Sequence, residues 1–123
     1  MSDALRMIVN TLNSLPSSVL IYDREGRLID ANQTAYIMHG VSSMEEIDPP
    51  EGVAKAREKA MTGEYCTTEY RIVDKKTGKE RWLKAHCNPV YTEGDGLVGV
   101  SIFEKDITSQ KEIMKELLSL KVK

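Results

Sequence analysis

The start of the chain has a periodic pattern of apolar positions. Apolar residues recur there at intervals of three and four positions: Leu5, Ile8, Val9, Leu12 and Leu15. This period predicts an amphipathic helix from about residue 3 to residue 14, and Pro16 ends it. We therefore expect residues 1–15 to form a helix that flanks the domain after it.

Two strands and two short helices are predicted next. The β-rich segments within residues 18–31 flank the turn sequence Asp23–Gly26, which predicts a hairpin. Asn32 is a favourable N-cap and Gly40 a favourable C-terminal stop, so a short helix is expected between them. A further helix is predicted over residues 51–61, because prolines and acidic residues mark its start.

The second half of the chain alternates in the manner of strands. Segments 65–73, 80–91 and 97–104 are separated by turns that contain glycine. The last of them leads almost directly into an amphipathic helix from Gln110 to about Leu120. With no long loop between them, this helix leaves the sheet as a direct extension of it.

Together these elements predict an α+β fold. Two strands, short helices and a three-stranded meander indicate one five-stranded antiparallel sheet with helices on one face. An N-terminal amphipathic helix and a C-terminal exit helix complete it. We expect a domain over residues 1–108, including the flanking helix over 1–15, and a linker helix over 109–123.

The hairpin between the third and fourth predicted strands has a register that follows from its side chains. With a four-residue loop over 75–78, Glu69 lies opposite Lys84 and Arg71 opposite Trp82. One is an opposite-charge pair and the other a cation–π pair, both of which stabilise neighbouring strands. A slip of one residue would lose both pairs.

The same register places Cys66 opposite Cys87. The favoured interpretation is two thiols that pack as small apolar groups. A redox switch is the alternative, against which stands the rarity of disulfides inside cells.

Composition and charge narrow the class of protein. The chain has 123 residues and a net charge of -2 with both signs interspersed. Without a basic stripe, nucleic acid is not an expected partner. Without an apolar run near the roughly 20 residues of a membrane span, this segment is not expected to insert into a membrane. Because Cys66 and Cys87 make no disulfide framework and the start of the chain does not have the pattern of a secretory signal, we expect a cytoplasmic location, with which a membrane-anchored parent protein is compatible.

Four groups of residues occur in a suggestive order. They are Asp23-Arg24-Glu25-Gly26; Asn32 followed by Gly40; Gly63-Glu64 leading to Glu69-Tyr70-Arg71-Ile72; and Thr77-Gly78-Lys79-Glu80-Arg81-Trp82 before Asp106-Ile107-Thr108. Together they resemble the PAS domain family, including its C-terminal PAC portion, from about residue 15 to residue 108.

The resemblance implies a pocket between the inner face of the sheet and the short helices. It also implies a sensory or dimerising module in a larger signalling protein: a histidine kinase, a cyclic-dinucleotide enzyme or a transcription regulator. By the same resemblance, Asp106 forms a salt bridge or caps near the exit of the sheet. Asp106, Ile107 and Thr108 would then relay a signal to the exit helix.

The inward face predicted by the register supplies the candidate lining of that pocket. Ser101 and Phe103 join it if the alternation of the last strand continues in phase, and the first short helix closes it. The predicted ligand-pocket residues are Tyr36, Met38, Thr68, Tyr70, Ile72, Leu83, Ala85, Cys87, Ser101 and Phe103. They either hold a small organic molecule or simply fill the core, and the sequence favours neither.

Known cofactor chemistries find little support in the sequence. His39 ends a short helix and His86 falls on the outer face, so both are expected to be surface or structural residues and haem is disfavoured. Flavin-binding light sensors of this family carry a reactive cysteine on a helix, whereas both cysteines here lie on predicted strands. Two histidines and two cysteines show no zinc spacing, so no metal site is predicted.

Three functions follow. The first is a ligand sensor that reports through the exit helix. The second is a ligand-free dimerisation module, through the N-terminal helix, the exit-helix stripe Ile113, Leu117 and Leu120, or an outer sheet face with Val100 and Ile102. The same stripe could instead lie on its own sheet. The third, an enzyme, is remote, because no phosphate loop, nucleophile elbow or carboxylate pair occurs, although the parent protein could be a kinase or cyclase.

Overall fold

A computed structural model of the protein describes residues 17–47 and 51–122. In chain order its elements are β1 (Ser18–Asp23), β2 (Leu28–Ala31), α1 (Gln33–His39), a 3₁₀ turn (Met44–Glu46), α2 (Glu51–Met61), β3 (Cys66–Val73), β4 (Glu80–Thr92), β5 (Gly96–Asp106) and α3 (Thr108–Val122). The helix predicted over residues 1–15, with its proposed dimer contact, lies outside the described residues.

The strands form one antiparallel sheet in the order β2-β1-β5-β4-β3. Helices α1 and α2 pack on one face of it, α1 against β1 and α2 against β3, β4 and β5. The predicted α+β class, five strands and placement of the short helices are thereby confirmed. We call the face under α1 and α2 the inner face.

Asn32 shows how the sequence fixes the first helix to the sheet. Its side-chain oxygen accepts hydrogen bonds from the backbone N–H of Ala35, at 3.0 Å, and of Val19, at 2.9 Å. Its amide nitrogen donates to the carbonyl of Ser17 at 2.8 Å. One buried side chain therefore caps α1 and holds it against the start of β1.

The β3–β4 hairpin has the predicted register. Glu69 pairs with Lys84, and Arg71 with Trp82. The Arg71 guanidinium lies 6.0 Å from the centre of the indole ring. Side chains of β3 alternate between exposed and more buried positions, with Tyr70 and Ile72 buried on the inner face. The cross-strand pairs read from the sequence were sufficient to fix this phase.

The β4–β5 hairpin contains a bulge that the sequence analysis did not include. Thr92 pairs with Gly96, but after the irregularity Val90 pairs with Gly99, which leaves Val98 as an extra residue in β5. Because side chains alternate along a strand, one extra residue turns every later side chain to the opposite face.

This bulge overturns two predictions about β5. Ser101 and Phe103 were expected to line the pocket, but Phe103 packs on the outer face with Val19 and Ile21, and Ser101 pairs with Ile21 on that face. Val100 and Ile102, predicted to lie on the outer face as a partner contact, are fully buried in the inner core.

Candidate functional site

The other predicted pocket residues do come together between the sheet and the helices. Tyr70, Ile72, Leu83, Ala85 and Cys87 are buried in the inner core. From α1, Tyr36 and Met38 pack against it, and Thr68 is half-buried on the same face of β3. Whether these residues hold a ligand stays a prediction.

Glu104 of β5 places a carboxylate in the middle of this interface, a feature the sequence analysis missed. The residue is 1% exposed. Its Oε1 accepts a hydrogen bond from the Ser18 hydroxyl at 2.7 Å and lies 2.7 Å from Nε2 of His39. The Tyr70 hydroxyl donates to its Oε2. The Glu104 side chain thus connects β1, α1 and β3 to β5. These hydrogen bonds compensate the cost of burying its carboxylate.

A signal for Glu104 exists in the sequence but depends on the bulge. Glu104 follows Val100 and Ile102 at intervals of two residues, so it shares their face of β5. Once Val98 is recognised as the extra residue, that face is the inner one. The buried position of Glu104 also acts on Tyr70, whose pKa is raised by burial first and by the neighbouring carboxylate second.

Tyr22 and Arg57 form a second polar feature near the inner face. Tyr22 is 1% exposed, and its O–H has no acceptor among the described residues. The Arg57 guanidinium, from α2, lies 5.0 Å from the centre of the Tyr22 ring. Burial raises the pKa of Tyr22 to about 12, against the opposing effects of the Arg57 charge and of a hydrogen bond from Arg57. The guanidinium can donate to the Tyr22 hydroxyl oxygen, so what lacks a partner among the described residues is the donor of that hydroxyl.

A shallow depression lies between α1 and the β3–β4 turn. Its volume is about 210 Å³, and Tyr36, Gly40, Asp74 and Lys76 are among its lining residues. The Asp74 carboxylate already accepts bonds from two backbone N–H groups of the turn and from Arg81. Its ion pair with Arg81, together with those N–H donors, lowers the pKa of Asp74. The carboxylate that lines this depression is thus already bonded to donors of the protein itself.

Arg81 links this turn to the exit of the sheet. Its guanidinium lies 2.9 Å from Asp74 and 3.9 Å from Asp106, and its Nε donates to the carbonyl of Met38 at 3.1 Å. The C-terminal end of α1, the β3–β4 turn and the end of β5 therefore meet at one charged side chain.

The predicted relay residues Asp106, Ile107 and Thr108 connect β5 to α3 and are hydrogen-bonded to each other and to β4. Asp106 caps α3 through a hydrogen bond from the backbone N–H of Thr108 at 2.9 Å. The Thr108 hydroxyl accepts from the backbone N–H of Trp82 at 3.0 Å, and the backbone N–H of Ile107 donates to the Trp82 carbonyl at 2.8 Å. Burial alone would raise the pKa of Asp106, but its bonds to Thr108 and the Arg81 charge lower it. A relaying role for these residues stays a prediction.

Beyond its first turn, α3 exposes a broad apolar surface. Its side chains Ile113, Met114, Leu117, Leu118 and Leu120 are 50–64% exposed. The alternative in which this stripe lies on its own sheet is therefore wrong. We call these five residues the exit stripe.

The two cysteines lie on neighbouring strands of the sheet. Both cysteines are free thiols on strands, Cys66 on β3 and Cys87 on β4. In the part of the chain that the structure describes, no three His, Cys, Asp or Glu side chains gather as metal ligands. Nor does any helix there have both the length and the hydrophobicity needed to cross a membrane.

Comparison with known proteins shows which family this chain matches. A family model described as "PAS domain" matches residues 16–109. No curated protein sequence matches the chain significantly. Among solved structures, the PAS domain of a protein from Colwellia psychrerythraea is 24% identical with a TM-score of 0.64, and the match covers 87% of this chain and 99% of that one.

Two further structures are similar. A light-oxygen-voltage domain studied with a flavin analogue is 17% identical with a TM-score of 0.67, covering 92% of this chain and 95% of that one. A domain of a putative light and redox sensing histidine kinase from Haloarcula marismortui is 17% identical with a TM-score of 0.58, covering 84% and 99%. At these identities the likeness shows the fold alone.

Proposed function

The chain belongs to the PAS domain family, and from this premise we propose that it is the sensory module of a larger signal-transduction protein. It binds a small molecule between the inner face and the helices and passes the change on through α3. The module itself is non-catalytic and cytoplasmic, and its effector is a kinase, a cyclic-dinucleotide enzyme or a transcription regulator in the same parent protein.

One observation carries the ligand-binding part of this proposal: the buried O–H of Tyr22 has no acceptor among the described residues. Buried polar groups are nearly always hydrogen-bonded, because an unpaired donor costs about 1–3 kcal/mol. Arg57 beside it offers only donors. A ligand that presents an acceptor oxygen would satisfy both groups at once, whereas no carboxylate among the described residues pairs with Arg57.

The same geometry limits the class of ligand. Haem is disfavoured because His39, the imidazole on the inner face, is held at 2.7 Å by Glu104. A flavin that reacts with a helix-borne cysteine is disfavoured because Cys66 and Cys87 lie on strands, although a solved relative was studied with a flavin analogue. The proposal is therefore a small organic molecule with acceptor oxygens.

Transmission follows from the contacts of Arg81. A ligand that moves α1 against the sheet acts on the Met38 carbonyl, which Arg81 holds together with Asp74 and Asp106. Asp106 in turn caps α3. A ligand shifts α3 only as far as its affinity differs between the two arrangements.

Native mass spectrometry of the chain purified from its own cells tests the ligand. We expect a non-covalent adduct in the unmodified protein that is lost from Tyr22→Phe and Arg57→Gln. It should persist in Tyr91→Phe and Arg71→Gln, which alter exposed side chains of the same types. A spectrum of the bare chain in every sample contradicts ligand binding.

A second candidate, a ligand-free dimerisation module, is favoured by the exit stripe. Five large apolar side chains on one helix suit pairing with a second copy. Sedimentation of the full chain and of a form ending at Thr108 separates the candidates. A dimer that becomes a monomer on truncation supports this candidate, whereas two monomers at high concentration exclude it.

A further inference from the structure

The two cysteines are direct cross-strand partners. Cys66 pairs with Cys87 in the β3–β4 ladder, as the sequence predicts. Directly opposed residues of antiparallel strands have Cα atoms about 4.5–5.5 Å apart, which lies within the range of roughly 4.4–6.8 Å found for disulfides. The ladder thus gives the two cysteines a backbone separation that a disulfide can span, once the Cys66 sulfur turns away from the Thr67 carbonyl oxygen, which lies 3.7 Å from it.

The two thiols differ in access. Cys66 is half-buried and is the first residue of the edge strand β3. Cys87 is fully buried, and burial, reinforced by the neighbouring Cys66 and Glu104, raises its pKa to about 12. An oxidant from solvent therefore reaches Cys66 first. Cys87, on the neighbouring strand, remains a protonated thiol.

We propose that Cys66 and Cys87 form a reversible disulfide under peroxide and make this module a thiol-based redox sensor. The Cys66 thiolate takes one oxygen from the peroxide and becomes a sulfenic acid, while the remainder leaves as hydroxide and is protonated to water. The Cys87 sulfur then bonds to the Cys66 sulfur, and its proton leaves with the sulfenic oxygen as a second water. A thiol reductant reverses the bond.

The position of this bond explains how oxidation would be sensed. Cys87 also pairs with Ile102 in the middle of the sheet, and Cys66 begins β3 shortly after α2 ends. A covalent bond there fastens the start of β3 to the strand beside it, beneath α2. Oxidation would thereby restrict the separation of α2 from the inner face.

The test is a peroxide titration of the full chain, read by intact mass and by a non-reducing peptide map. We expect the monomer to lose two hydrogen atoms, with the Cys66 and Cys87 peptides joined, and dithiothreitol to restore the original mass. Cys66→Ser should show neither change. Since Cys66 is half-buried, this variant is expected to fold, and circular dichroism checks that it does.

The remaining readouts separate the chemistry from its consequence. Oxidised protein should unfold at a higher temperature than reduced protein, and its α2 and α3 amide resonances should shift. If both thiols are alkylated when the protein is unfolded in urea after peroxide treatment, the proposal is overturned, as it is by cross-links between chains only. A disulfide that forms without moving any helix resonance overturns the sensing role.

Discussion

The ammonium group of Lys111, in the first turns of α3, lies 2.7 Å from the carboxylate of Glu69 on β3. The same ammonium lies 4.9 Å from the ring centre of Trp82 on β4. Together with Thr108, this contact holds the start of α3 on the outer face, while the exit stripe beyond it stays exposed. The start of α3 is thus bound to the sheet, whereas its later turns present apolar side chains to solvent.

Replacing Lys111 by Met should loosen the start of α3 without unfolding the domain. Met keeps a long stem and a high helix propensity but removes the contacts with Glu69 and Trp82. We expect amide exchange in the first turns of α3 to become about two- to five-fold faster, the effect of a partly exposed charge contact. Hydrogen exchange measured by NMR checks this.

Lys115→Met, at an exposed position of the same helix, is the matched control. Equal exchange rates in both variants would show that Lys111 does not hold α3 on the sheet.

Removal of the Glu104 carboxylate should destabilise the domain strongly. In Glu104→Ala the Ser18 hydroxyl, the His39 ring and the Tyr70 hydroxyl lose their shared acceptor. Breaking one side of a buried charged network costs about 3–5 kcal/mol, and urea denaturation measures it. Glu80→Ala, which removes an exposed carboxylate 3.4 Å from Arg71, should cost about 0.5 kcal/mol or less. Similar losses in both variants would refute the assigned role of Glu104.

Gly99 is required by the approach of β5 to β1. A Cβ atom at this position would lie 2.2 Å from the carbonyl oxygen of Tyr22. We expect Gly99→Ala to lower the free energy of unfolding by about 2–3 kcal/mol, because the two strands must move apart. Gly78→Ala is the control: its φ of +74° strains alanine, but nothing lies within 4 Å, so it should cost about 1–2 kcal/mol. A larger loss for Gly78 than for Gly99 would contradict the steric argument.

Stability should fall at alkaline pH partly through Tyr22. Its pKa rises from the ordinary 10.0 to about 12 on folding, so above pH 10 the unfolded chain releases this proton more readily than the folded one. The Tyr22 contribution is complete below pH 10 and is lost as the pH rises toward 12, by up to about 1.4 kcal/mol per pH unit.

Urea denaturation of the unmodified protein and of Tyr22→Phe between pH 8 and pH 11 measures this slope. The variant should show a shallower decline, while Tyr91→Phe, at an exposed position, should follow the unmodified protein. Parallel declines in all three would show that Tyr22 does not retain its proton on folding.

Local chemistry explains what the sequence determined by itself. Asn32 and Gly40 bound α1 as their cap and stop preferences require, and the pairs Glu69–Lys84 and Arg71–Trp82 fixed the β3–β4 register. These features involve neighbours in the chain or strands joined by a short turn. Each can therefore be read from side-chain spacing alone.

Only the tertiary structure decided which way β5 faces. A two-residue alternation carries no information on absolute phase once a bulge intervenes, so the extra residue Val98 reversed Ser101 and Phe103 and buried Glu104. That bulge lies where β5 passes between β1 and β4, and Gly99 meets a backbone carbonyl of Tyr22 there. The contact joins residues far apart in the chain, and for that physical reason spacing could not predict it.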